Sequence, residues 1–183
     1  MSFHCQIKVG VQTEDFAVAA VYQQLLTQSP DCGAICLFVG KVRQFQLDDA
    51  GHNPQQTSAL LLEHYPGMTE RVLQQLAEQA ANRWPLQHIQ LIHRTGLLGP
   101  NEQIVLVAVS SPHRADSFAA TEFLMDQLKS QAPFWKKQHH LYPQQHQQQS
   151  QWLQSKDSDL AAARRWYSPE QLPLLLKATD ARP

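Results

Sequence analysis

The chain has 183 residues, 43% of them apolar and 17% charged, with a formal net charge of −1. That is enough apolar material to build a core, so a disordered chain is excluded, and the length suits one domain with at most an appendage. Without a basic excess, nucleic-acid binding lacks its usual driving force, and any anion site must come from a few placed Lys and Arg side chains.

In chain order, residues 5–11 alternate around Ile7, Val9 and Val11 and read as an edge strand. Phe16 to Leu26 is rich in Ala and Leu and reads as a helix, and Gly33 to Val39 is a continuous apolar run that reads as a buried strand. Gln44 to Ser58 is polar and broken by Gly51 and Asn53-Pro54, so it reads as a long loop. Ala59 to His64 returns to strand, and Pro66 to Trp84 carries Val72, Leu76 and Ala80 at helical spacing. Ile89–His93 and Gln103–Val109 read as strands turned by Gly99-Pro100-Asn101. Ser111 is expected to cap a helix with Pro112 in its first turn, running to about Gln131, where Pro133 stops it. Phe134 to His139 reads as a short extended segment. Residues 144–151 are glutamine-rich and read as mobile, and the tail from Ser168 has its only order signal at Leu172–Leu176. This order implies an α+β protein rather than a doubly wound sheet.

The N-terminus lacks the pattern of a signal peptide, and every apolar run is far short of the roughly 20 residues of a membrane helix. Three cysteines, Cys5, Cys32 and Cys36, form no CxxC pair, and the nine histidines show no metal spacing. The expectation is a cytoplasmic protein with no metal site.

Chemistry concentrates in cations beside apolar residues. With Phe118 set at zero and about 100° per residue, Met125 falls near −20° and Lys129 near +20°. Lys129 thus shares a stripe with two apolar side chains. An amine desolvated there would have a sharpened electrostatic effect, while a snorkelling lysine remains the other reading. Arg114 lies on the same stripe about 22 Å away along a helix. One small substrate cannot span that distance, so if both residues serve one centre, the centre takes them from two chains. His113-Arg114 opens a helix and Lys41-Val42-Arg43 leaves a strand; each is a candidate anion site or an ordinary solvated end. In an extended segment, Phe134 and Lys136 share one face, and Trp135 and Lys137 the other.

Six stretches carry a resemblance when taken in order: Gly40-Lys-Val-Arg43, Leu62-Glu-His-Tyr-Pro-Gly-Met68, Asn82-Arg-Trp-Pro85, Ile92-His-Arg94, Ser111-Pro-His-Arg114 and Leu128-Lys-Ser-Gln-Ala-Pro-Phe-Trp-Lys-Lys137. Together they resemble the large subunits of molybdopterin synthase, the MoaE family, over about residues 3–167. The resemblance implies one domain over 1–167, with the tail 168–183 outside it, in an α/β hammerhead fold of mixed and antiparallel sheets with flanking helices. It implies a homodimer in which each copy binds a small ubiquitin-like sulfur-carrier subunit (MoaD-like), giving a heterotetramer. It implies sulfur transfer from the carrier's C-terminal thiocarboxylate to cyclic pyranopterin monophosphate, with no cofactor. The catalytic lysines fall on Lys129 and Lys136. The substrate-binding positions fall on Lys41, Val42, Arg43, His113, Arg114, Lys129, Lys136, Lys137 and Gln138. Gln138 stands where family members commonly have glutamate. The alternative is a homologue that docks a carrier tail without catalysis.

Overall fold

The computed structural model describes residues 5–47, 54–142, 147–153 and 157–168. Two sheets and four helices form an α+β fold among them. The first sheet has the order β1 (Gln6–Gln12), β5 (His88–Arg94), β7 (Gln103–Ser111), β2 (Ala34–Lys41). β1 runs parallel to β5, and the other pairs are antiparallel. The second sheet has the order β3 (Phe45–Leu47), β4 (Pro54–His64), β8 (Phe134–Tyr142), β9 (Gln147–Leu153), and β6 (Gly96–Leu98) also pairs with β4.

β5 and β7 are buried because helices cover both faces, and β7 is apolar throughout 104–109. On one face α2 (Met68–Arg83) and α3 (Arg114–Gln131) lay Leu73, Leu76, Phe123, Leu124 and Leu128 against Ile89, Leu91, Val107 and Val109. On the other, Phe16 and, from α1 (Val18–Gln28), Val21 and Leu25 meet Ile92, Leu106 and Ala108. A strand covered on both sides favours a continuous apolar run over alternation. Gly67 starts α2 with φ 79°, and its N–H donates to the Glu70 carboxylate at 2.6 Å.

Several expectations need correction. The run Gln44–Ser58 is not simply a loop: β3 lies in it, and β4 begins at Pro54. Phe45-Gln46-Leu47 alternates as a strand does but is only three residues long, and the polar start of β4 gains backbone partners from β3 and β8 on either side, which overrides local propensity. β2 is an edge strand rather than a buried one; Phe38 and Val39 are exposed, and Cys36 is only half-buried. Between β5 and β7 the chain does more than turn: β6 crosses to the second sheet first. Ser111 does not cap α3. It ends β7, its hydroxyl accepts the His113 N–H and donates to the Pro85 carbonyl, and His113 takes the N-cap place without a side-chain bond. Pairing with β2 keeps the strand going through Ser111, which pushes the helix start two residues on. The glutamine-rich run carries no strand signal in its composition, yet Gln147–Leu153 form β9 along β8. Residues 144–146 and the tail segment Leu172–Leu176 lie outside the described residues.

Candidate active site: a cationic cleft against the second sheet

A cleft of about 390 Å³ opens where the second sheet meets the C-terminal ends of β2 and α3. Three chain segments bring cations to it. The first is Lys41-Val42-Arg43. The register of β2 on β7 shifts between Gly40 and Lys41, and the chain then leaves the first sheet. Val42 is buried with Leu60, Leu62 and Leu98, so it acts as an anchor that leaves Lys41 and Arg43 exposed on either side. The turn after β6 braces this segment: the Asn101 N–H donates to the Val42 carbonyl, and the Val42 N–H to the Glu102 carbonyl, each at 2.9 Å. Lys41 Nζ donates to Asn101 Oδ1 at 3.0 Å. Asn101 can serve the turn because it adopts φ 69°, a left-handed conformation that asparagine tolerates.

The second segment is the end of α3. Phe118 is 65% exposed and Met125 only partly buried against the core, so the stripe they share with Lys129 runs along the rim of the core. The buried face of α3, with Ala120, Phe123, Leu124 and Leu128, looks the other way, toward the first sheet. Lys129 therefore projects away from that core and into the cleft, with its side chain 48% exposed. It is a partly solvated ammonium rather than a desolvated one.

The third segment is β8, which alternates as an extended segment must. Phe134 stacks on His93 with ring centroids 3.7 Å apart, Lys136 lines the cleft, and Gln138 is buried, donating from Nε2 to Thr57 Oγ1 at 2.7 Å. Lys137 faces the opposite way and holds its ammonium 5.5 Å from the Trp152 ring centroid. Burial pushes the His93 imidazole down to about 3, with Lys136 and His64 acting in the same direction. It is neutral near pH 7, and its Nδ1–H donates to the Arg94 carbonyl at 2.7 Å.

The remaining wall is α4 (Asp157–Arg164), which brings Ser158 and Asp159. Asp159 Oδ1 lies 3.4 Å from Lys129 Nζ. The helix is fixed from its far end. Trp166 packs edge-on against Trp84 and Phe123 and donates from Nε1 to Asp126, and Gln127 donates to the Ala163 carbonyl.

Of the residues expected from the sequence, the structure gathers Lys41, Val42, Arg43, Lys129, Lys136 and Gln138 in this one cleft. Lys137 lies on the other face of β8, and His113 and Arg114 stand at the opposite end of α3, about 22 Å away. Sequence reasoning missed Thr57, Leu60, Ile104, Leu153, Ser158 and Asp159. The Ser-Lys-Asp-Ser-Asp run before an Ala-rich stretch is a legible helix start, but nothing in it reveals that Asp159 meets Lys129. Among the described residues no group of His, Cys, Asp and Glu could hold a metal ion. Burial raises the Cys5 thiol to about 11 and raises Cys32 as well, so neither is an activated nucleophile.

Among the described residues, four cations and one carboxylate line this cleft on an α+β scaffold, a charge balance that suits an anion. The profile of the MoaE protein family matches residues 11–131. The molybdopterin synthase catalytic subunit of Vibrio cholerae serotype O1 is 48% identical over 159 residues, covering 87% of this chain and 97% of that protein. The subunit of the same name from Escherichia coli K12 is 42% identical, covering 88% and 99%. Among solved structures, the molybdopterin biosynthesis MoaE protein of Burkholderia ambifaria MC40-6 superposes with a TM-score of 0.70 at 39% identity, covering 88% of this chain and 98% of that one. The molybdopterin synthase of Staphylococcus aureus does so at 0.65 and 28%, covering 79% and 95%. This chain belongs to the MoaE family.

Proposed function

We propose that this chain is the sulfur-transferring subunit of a molybdopterin synthase. It works in the cytoplasm as a homodimer with a MoaD-like carrier on each copy, and the cleft is where the carrier's C-terminal thiocarboxylate meets cyclic pyranopterin monophosphate. The observation that carries this is the convergence of Lys41, Arg43, Lys129 and Lys136 on one cleft. The two substrates are both anions, a cyclic phosphate and a thiocarboxylate, and the cleft offers charge for each.

In the transfer, the carrier's sulfur displaces an oxygen substituent at a side-chain carbon of the pterin, so that a C–S bond replaces a C–O bond and the departing oxygen keeps the electron pair. The acyl–sulfur bond is then cleaved by water, leaving sulfur on the pterin and a carboxylate on the carrier. A second loaded carrier completes the dithiolene. Cleaving the acyl–sulfur bond develops an oxyanion, and a fixed ammonium stabilises it. Lys129, at the free end of α3, takes that part at the carrier's terminus. Lys136 serves the pterin with Lys41 and Arg43 on the phosphate. Gln138, where the resemblance expects glutamate, orders the floor through Thr57. His113 and Arg114 are too far from their own chain's Lys129 and complete the partner's site, and Lys137 assists from outside the cleft.

The test combines the purified chain, thiocarboxylated carrier and the pterin precursor, and measures dithiolene product. Lys129→Ala is expected to cut turnover by about 10²-fold or more. Undiminished turnover in that variant would sink the assignment. Carrier binding with no product from the unsubstituted chain would leave only a docking homologue.

A further inference from the structure

Among the described residues that line the cleft, Asp159 is the one carboxylate, beside four cations that have anions to bind. A carboxylate there opposes the affinity the cleft is built for, so its position calls for a physical account. It does not stand free in solvent: its side chain is 25% exposed, and its oxygen faces Lys129 Nζ at 3.4 Å. Its helix is held on α3 by Trp166, Gln127 and Asp126, so the carboxylate is fixed while the long lysine side chain is the adjustable partner. Lys41, by comparison, is held by a neutral amide, that of Asn101.

We propose that Asp159 is a built-in counter-ion for Lys129. The C-terminal thiocarboxylate of an incoming carrier must displace it, and it recaptures the ammonium as the spent, carboxylate-ended carrier leaves. This rests on reading Lys129 as the group that receives the carrier's terminus. Lys129 is half-exposed, and ion pairs at that exposure are weak. A weak pair suits this exchange, because one carboxylate replaces another on the same ammonium with little net change. The pair competes with either tail for the ammonium, which limits how tightly the product tail is held. Asp159 acts through Lys129 and is a positioning residue rather than a catalytic one.

The test is calorimetric titration of the intact chain with carrier ending in carboxylate, and with the same carrier lacking its last two residues. Asp159→Asn is expected to bind the full-length carrier about two- to five-fold more tightly, the range such a pair supports. It should leave the truncated carrier's affinity unchanged, and Asp159→Glu should restore the original value. The Michaelis constant for thiocarboxylated carrier should fall by the same factor. Loss of a merely structural contact would weaken binding, so the direction of the change separates the two roles. Unchanged or weaker binding by Asp159→Asn, with Trp166 fluorescence showing α4 still docked, overturns the inference. Lys129→Ala separates this from failure of the functional reading. If that variant binds full-length and truncated carrier alike while the unsubstituted chain prefers the full-length one, Lys129 reads the tail. A failure of Asp159→Asn then counts against the counter-ion alone. If Lys129→Ala still prefers the full-length carrier as strongly as the unsubstituted chain does, the role of Lys129 falls and the counter-ion with it.

Discussion

His93 should make this protein acid-labile in a way that one substitution reveals. The imidazole is buried on β5 against Phe134, two residues before Lys136, and burial lowers its pKa from 6.5 to about 3. The folded protein therefore refuses a proton that the unfolded chain accepts below pH 6.5. Stability from this group is complete above 6.5 and is lost as pH falls toward 3, since there the unfolded state binds more protons. Each pH unit in that window costs about 1.4 kcal/mol. At pH 5 the loss is about 2 kcal/mol, and it approaches about 5 kcal/mol near pH 3. For a chain of this size, 2 kcal/mol corresponds to a fall in Tm of roughly 4–8 °C. The assay is urea unfolding at pH 7, 6 and 5, for the natural chain and for His93→Asn, whose amide can still donate to the Arg94 carbonyl. The variant is expected to be less stable at pH 7, because the stacked ring is gone. Its further loss between pH 7 and 5 should be smaller by about 2 kcal/mol. His88, also lowered by burial, adds a slope common to both proteins. Equal losses in the two proteins would refute the reasoning.

Two further outcomes follow from the geometry. Arg114→Ala and Lys129→Ala should each be inactive, yet mixing the two after subunit exchange should restore about a quarter of the original activity. Half of a random mixture is heterodimer, and each heterodimer holds one site free of both substitutions; no recovery would show that both residues belong to one chain's site. Gly33→Ala should lose about 1–3 kcal/mol in urea unfolding with an unchanged m-value, because its Cβ would sit 2.6 Å from the Pro112 carbonyl oxygen just ahead of α3.

The elements that announce themselves by local pattern were legible in the sequence. α2 and α3 carry helical periodicity, β7 is an apolar run, and β5 sets Ile89, Leu91 and Ile92 among polar residues. The six motif stretches pointed to the family and to Lys129 and Lys136. What local pattern could not carry was pairing. The start of β4 and β9 are polar segments, and β3 is a three-residue one, that become strands because a neighbour supplies their backbone partners. The edge position of β2 is likewise a fact about neighbours and not about its apolar residues.

The sequence by itself determined which cations this protein has and, through the spacing along α3, that Arg114 and Lys129 cannot serve one small substrate within one chain. Only the tertiary structure decided which cations meet. Lys41, Arg43, Lys129 and Lys136 come from three segments up to 95 positions apart, brought together by a register shift in β2, the end of α3 and the alternation of β8. It also decided the state of Lys129, a half-exposed ammonium facing Asp159 from a helix 30 residues further on. Periodicity places a side chain on one face of its own element. What lies opposite that face depends on how the elements pack, and here the packing sets a carboxylate against the lysine.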